Sequence, residues 1–284
     1  SLNRNYSKSL NLYSTNNEVY FHKSDSSFLT NNYSASICYY YRQKIRLLHK
    51  FTFLFDFTEI DSSILELNPH YWGGDDTKRR SLSLTYDLIM DYRDNKQYAN
   101  NGYYIYLSLS GNVSDDVSFK YISLKSETQF HKMYNLRLGS SFSHKLGVSF
   151  KNEKAYIFDR AIGYDNILLR GYEFYVADGQ HYTTFSHSLK YSLIPRHLFK
   201  LGFLPFAPRF NTGFVSIYCK FFTDFGYSYN SYQSKNNSLS NRLLASAGFG
   251  LDLVTYYDIT MSLDFSLNHM GKTGLFFSFK SPLR

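Results

Sequence analysis

The alternation of apolar and polar residues is the strongest constraint on this chain. Phe51, Phe53, Phe55 and Phe57 fall on one side of an extended segment, opposite Thr52, Leu54, Asp56 and Thr58. Ile259, Met261, Leu263, Phe265 and Leu267 repeat the pattern opposite Thr260, Ser262, Asp264 and Ser266. Phe185, Leu189, Tyr191 and Leu193 do so opposite Thr184, Ser186, Ser188, Lys190 and Ser192. A period of two means two-sided strands. Two architectures accept such strands: a soluble sandwich with the apolar sides facing each other, and a barrel with the apolar sides facing lipid.

Three features favour the barrel. The segments run to about ten residues or more, the length a tilted strand needs to cross a bilayer. Their apolar sides are aromatic-rich, and the chain holds 28 Tyr and 26 Phe. Their polar sides carry charges such as Asp56, Lys190 and Asp264, which suit a wet lumen. Tyr and Phe near strand ends would form interfacial girdles. No run approaches the ~18 consecutive apolar residues of a membrane helix, and a mean hydropathy of −0.36 is compatible with a barrel whose inner face is polar.

Twelve segments carry the pattern: roughly 7–23, 33–44, 47–59, 78–92, 102–112, 116–129, 132–149, 180–194, 212–226, 241–254, 257–267 and 272–281. An even number closes an antiparallel barrel with both termini at one rim. Within the first segment, Asn16-Asn17 is a candidate break. The expectation is an all-β, transmembrane antiparallel barrel of about 12 strands (sixteen if strands precede Ser1), forming one domain over 1–284. Residues 195–211 make an apolar connection that would pack at the barrel mouth.

One connection is far too long for a hairpin. About thirty residues separate the strands around it, and its middle, Phe158 to Asp178, reads FDRAIGYDNILLRGYEFYVAD. Ile162, Ile167, Leu168, Leu169, Phe174 and Val176 make a solvated surface loop unfavourable, so the segment is expected to fold into the lumen. Arg170 then needs an acidic partner.

Enzyme chemistry finds no support. The nine histidines are scattered without metal-ligand spacing, and Cys38 and Cys219 lie in different strands. GxSxG and phosphate-loop motifs are absent. No catalytic residue, metal or cofactor is expected. A formal net charge of +8 does not imply nucleic acid, because the basic residues do not line one face.

Four motifs in order resemble the barrel of the BamA/TamA family of outer-membrane assembly and secretion proteins: DYRDNKQYANNG (91–102), Arg170-Gly171-Tyr172 in GYDNILLRGYEFYVADGQ, Asp224 in FFTDFG, and the closing stretch from Gly248. ELNPHYW (66–72) and the wording around Arg170 resemble Bacteroidetes-type members. The resemblance implies that Arg170 enters the lumen and pairs with Asp224, with Gly171 turning the loop tip and Tyr172 beside it, and with Arg160 and Glu173 in the network. It implies a turn held by Asp91, Arg93, Asp94 and Asn95 and ended by Gly102.

The family's barrels usually have sixteen strands and follow periplasmic POTRA domains; this chain reads as a POTRA-less member with both termini periplasmic, in the outer membrane of a Gram-negative cell. Its partners would be outer-membrane lipid, lipopolysaccharide phosphates at Lys78, Arg79 and Arg80, or outer-membrane proteins. A weakly paired first and last strand would leave room for a homodimer. Three roles are compatible: membrane assembly, translocation or organisation; a passive or gated pore; and a structural, dimeric interaction barrel.

Overall fold

The computed structural model describes residues 1–284 except 26, 116–119, 153, 201–211, 233–236, 256–258 and 282–284. One 12-stranded antiparallel sheet dominates. Its strands are β1 (Leu2–Ser7), β4 (Thr30–Lys44), β5 (Leu47–Ile60), β6 (Lys78–Asp91), β7 (Gly102–Ser114), β8 (Lys120–Met133), β9 (Leu138–Lys151), β12 (His181–Lys200), β13 (Thr212–Tyr229), β14 (Leu243–Thr255), β15 (Thr260–Asn268) and β16 (Thr273–Lys280). They pair in that order, each with its neighbours in the chain. Two small hairpins stand apart: β2 (Ser9–Thr15) with β3 (Glu18–Lys23), and β10 (Arg160–Ile162) with β11 (Ala177–Asp178).

The sheet is inside out relative to a soluble domain. Phe185, Leu189, Tyr191 and Leu193 on β12 are exposed, whereas Thr184, Ser188, Lys190 and Ser192 are buried. On β13, Phe221, Phe225 and Tyr227 point outward while Ser216, Asp224 and Ser228 are enclosed. An apolar convex surface around a polar interior is a transmembrane barrel's distribution, and the soluble-sandwich alternative fails on it.

The strand number agrees with the sequence reading, but three boundaries differ. Residues 7–23 are not a strand of the barrel. Asn16 and Asn17 both adopt left-handed backbone, with φ of 54° and 61°, and close the β2–β3 hairpin. Two successive positive φ values make the turn that matches strand twist. The first barrel strand is instead Leu2–Ser7, so the even count survives. The β8–β9 turn lies at 134–137 rather than 130–131, because the Asn135 side chain accepts from the backbone N–H of Arg137 (2.8 Å) and Leu138 (2.7 Å). Strand β12 runs on to Lys200, past the expected start of the 195–211 connection; residues 201–211 lie outside the described residues.

Connections 8–29, 61–77, 152–180 and 230–242 lie at one rim, and the 45–46, 92–101 and 134–137 turns at the other. At the long-loop rim, helix α1 (Ser62–Leu67) starts at Asp61, whose carboxylate accepts from Ser63 N (3.0 Å) and Ser63 Oγ (2.6 Å). Leu12, Leu29, Ile64, Tyr71, Trp72 and Tyr156 form an apolar cluster there, joining the β2–β3 hairpin, α1 and the long loop. A second cluster unites Ile162, Leu169 and Tyr172 of the loop with Tyr182, Leu239 and Leu244. The apolar core therefore lies within and across one end of the barrel, built by its loops.

At the seam, no backbone ladder joins β1 to β16 among the described residues. β1 pairs only Thr30–Ala35 of β4, which leaves Ile37, Tyr39, Tyr40 and Tyr41 exposed along that edge.

Candidate functional site

The long loop folds into the lumen through a series of tight turns. A short 3-10 turn (Tyr156–Phe158) leads into the β10–β11 pair, and turns close at Ile167 N to Tyr164 O (2.9 Å) and Tyr172 N to Leu169 O (3.0 Å). The second turn delivers Arg170 to the inner wall. Arg170 Nε donates to Asp224 Oδ2 (2.8 Å), Nη2 to Oδ1 (2.5 Å), and the Arg170 backbone N–H to Oδ2 (3.2 Å). Nη1 donates to Ser188 Oγ (3.1 Å), and the guanidinium lies 3.9 Å from the Phe222 ring centroid. Asp224 is 1% exposed. A carboxylate so buried needs a bidentate cationic partner, and a planar guanidinium fits it with two parallel bonds.

Gly171 and Tyr172 fix the tip. Gly171 has φ +84°, and a Cβ there would stand 3.1 Å from Ser246 Cβ. A side chain would meet both backbone strain and the wall. Ser246 Oγ donates to Arg170 O (2.5 Å) and Asn268 Nδ2 to Gly171 O (2.7 Å), so β14 and β15 hold the backbone. The Tyr172 hydroxyl donates to Ala245 O (3.0 Å), accepts from Ala245 N (3.2 Å) and contacts His269 Nδ1.

Arg160 and Glu173 lie outside the arginine's network. Arg160 Nη2 donates to Asn11 O (3.4 Å), and its guanidinium stands over the rings of Tyr156 and Tyr164, tying the loop to the β2–β3 hairpin. Burial raises the Glu173 carboxyl above the usual range, against the lowering effect of backbone hydrogen bonds from its own and the Gly171 N–H, with a smaller upward push from the Asp224 and Asp264 charges. Its Oε2 is buried without a hydrogen-bond partner.

A neighbouring cluster was not anticipated from the sequence. Asp178 accepts from Ser14 Oγ and Tyr164 Oη (2.6 Å), and Asn237 Nδ2 donates to Ser14 O (3.1 Å). The hairpin, the long loop and the 230–242 connection meet there. Burial raises the Asp178 carboxyl, against the lowering effect of these donors. Asp159 next to it pairs with Lys151 Nζ (2.6 Å) and accepts from Gln180 Nε2 (2.8 Å).

The opposite rim is closed by the 92–101 turn. Arg93 binds Asp91 through Nε (2.9 Å) and Nη2 (2.9 Å). The Asp94 carboxylate gathers the backbone N–H groups of Asn95 (2.8 Å), Asn100 (3.0 Å) and Asn101 (3.0 Å). Asn95 Oδ1 accepts from Gln97 N (2.7 Å) and Tyr98 N (3.0 Å). Gly102, at φ +105°, starts β7 where a Cβ would strike the Tyr92 carbonyl. Each member of the motif thus satisfies or permits a specific piece of turn backbone. The turn presents Tyr98, whose hydroxyl donates to Asp252 Oδ2 (3.0 Å) across the lumen, and Asp252 and Asp264 share Lys220 at 2.7 and 2.9 Å.

Lys78 pairs with Glu59 (3.0 Å), Arg79 stacks over Trp72, and Arg80 stands over Phe57. The described His, Cys, Asp and Glu residues form no group suited to a metal ion, and Cys38 and Cys219 are free thiols.

No protein-family model matches the chain. No curated protein matches it either. Among solved structures, the crystal structure of BamA from Haemophilus ducreyi lacking POTRA domains 1–3 superposes with a TM-score of 0.58 at 10% sequence identity, covering 88% of this chain. This is a BamA-type barrel fold. The chain spans 53% of that BamA chain, about half its length. At this identity the likeness is one of fold, and the loop and turn contacts above are properties of this chain's own residues.

Proposed function

We propose that this BamA-type barrel sits in the outer membrane of a Gram-negative cell, termini periplasmic, and acts in protein or lipid assembly, translocation or membrane organisation with its lumen kept closed. The apolar convex surface supports the membrane placement. The observation that carries the closed lumen is its occupation from both rims. Arg170 reaches Asp224 from the long-loop side, and Tyr98 reaches Asp252 from the turn side. The lumen still holds cavities, one of about 460 Å³ lined by Asp87, Tyr106, Lys125 and Tyr182 and one of about 230 Å³ beside Arg170. A passive pore needs a continuous water path, so this arrangement disfavours the pore reading. Activity on clients or lipid then belongs to the outer surface and the β1–β16 edge, which no backbone ladder closes among the described residues and where exposed aromatics meet the bilayer.

Reconstitution tests both halves. The purified barrel should give no large steady conductance in planar bilayers, and its vesicles should take up a denatured outer-membrane protein faster than empty vesicles. Steady porin-like openings would remove the closed-lumen reading. Equal uptake would remove the assembly role and leave a structural barrel.

A further inference from the structure

A cavity of about 230 Å³ lies inside the barrel beside Arg170, on the side of the 92–101 turn. Among the described residues, Arg93, Lys96, Arg170, Lys190, Lys220 and Lys280 line it, against one carboxylate, Asp252. Three of these cations are matched: Arg93 on Asp91, Arg170 on Asp224, and Lys220 between Asp252 and Asp264. Lys96, at the turn, and Lys280, on β16, are exposed. Lys190 and Lys280 have no carboxylate within 4 Å among the described residues.

Lys190 is the unusual member. It is 8% exposed, yet among the described residues its ammonium meets only the Ala99 carbonyl at 3.3 Å and the Tyr98 ring at 4.2 Å. A buried ammonium that lacks an anion is costly, and a carbonyl with a ring face offsets that cost only in part. The wall beside it holds a second unmet group: Thr260 Oγ1 is buried and has no hydrogen-bond partner. Thr260 pairs directly with Lys280 across β15 and β16, so the hydroxyl and that ammonium share one patch of wall. Two ammonium groups, the buried Lys190 and the exposed Lys280, neither paired with a carboxylate among the described residues, and an unused hydroxyl donor, around a space of this size, suit a compact tetrahedral oxyanion.

We propose that this cavity binds a phosphate group, held by Lys190, Lys280 and Thr260 and reached from the rim of the 92–101 turn. A phosphate offers several acceptor oxygens in a tetrahedral array. It would take protons left over on Lys190 and supply the missing partner of Thr260. The cavity has room for the phosphate and not for acyl chains. The ligand is therefore either free phosphate or the headgroup of a phospholipid whose chains stay outside, with Lys280 on the edge strand β16 as the nearest ligand to the bilayer.

The test is heat-modifiable unfolding of the full chain in an uncharged detergent, at constant ionic strength, with inorganic phosphate or short-chain phosphatidylglycerol replacing chloride. A ligand that binds only the folded state raises the unfolding temperature, by an amount that grows with the logarithm of its concentration above the dissociation constant. The expected result is a rise of several degrees with one of the two, abolished in Lys190→Met and in Lys280→Gln, reduced in Thr260→Val and retained in Lys125→Gln, which lines the other cavity. Comparing each variant with itself in chloride cancels its change in basal stability. A rise with phosphate alone assigns the free anion; a rise with the lipid alone assigns the headgroup. The proposal is overturned by no rise with either ligand, or by a rise that persists in both lysine variants.

Discussion

Arg170 and Asp224 are 54 residues apart in the chain and meet inside the barrel through three hydrogen bonds from one residue to one carboxylate. Asp224 is enclosed while the Arg170 side chain keeps 23% of its surface. The carboxylate is thus the dependent partner, and loss of the arginine strands a charge that water cannot reach. Removing one member of such a pair costs about 3 kcal/mol. Arg170→Ala should lower the heat-modifiable transition by several degrees and open the 158–178 loop to protease. Arg170→Lys should recover only part, because an ammonium cannot make the two parallel bonds. An unchanged transition in Arg170→Ala would remove the pair's structural role.

Tyr172→Phe isolates the hydroxyl. Both Ala245 backbone groups that it bridges lose that partner, a cost of about 1 kcal/mol. The transition should fall by roughly 2–4 °C for a chain of this size. Protease resistance of the loop should change little, since the buried ring stays in its apolar cluster.

Asp94→Ala should act at the other rim alone. Three backbone N–H groups lose one acceptor, worth about 2 kcal/mol in sum. Amide exchange of residues 95–101 should accelerate while the β12–β13 ladder keeps its protection. Uniform acceleration across both regions would mean that the turn and the barrel wall unfold as one unit.

The Asp178 cluster predicts a pH dependence with a definite sign. Burial raises this carboxyl, so the folded state holds its proton more tightly than the unfolded chain does. Stability is then greatest below the ordinary carboxylate range, about pH 4, and is lost as pH rises through the raised value. Asp159 adds to this and Arg160 opposes it. Protection of the β2–β3 hairpin against exchange should fall between pH 4 and the raised value, and Asp178→Asn should flatten the profile. Glu173, raised by the same cause, should show the same trend at the loop tip. A hairpin whose protection rises with pH would contradict the assignment.

The alternation made the barrel legible because the side-chain period of a strand is two in any sheet. Phe51 to Thr58 and Thr184 to Leu193 reveal their two faces from composition alone. That Arg170 needs an acidic partner was legible from a cation in an apolar loop, but Asp224 as that partner came from the family resemblance and not from the residue pattern. The hairpin at 9–23 was harder. Its own alternation resembles that of a wall strand; Asn16-Asn17 marked a possible break, and their paired positive φ values make it the hairpin turn. Arg160 was assigned to the wrong network because sequence proximity to Arg170 says nothing about which side of a folded loop a residue occupies. Ser14 with Asp178, Tyr98 with Asp252 and the burial of Lys190 depend on contacts between distant parts of the chain, and no local pattern carries them.

The central claim is that the loop tip lies against the inner wall in the membrane. An ideal Cβ at Gly171 would stand 3.6 Å from Asn268 Cβ, a spacing that a disulfide spans. The left-handed backbone at Gly171 would cost a cysteine about 1–2 kcal/mol, less than the 2–4 kcal/mol a typical disulfide contributes. In a background lacking Cys38 and Cys219, Gly171→Cys with Asn268→Cys should crosslink in native membranes and shift migration on non-reducing gels. Failure to crosslink under oxidant, with both thiols freely labelled from outside, would show the loop outside the barrel and contradict the account.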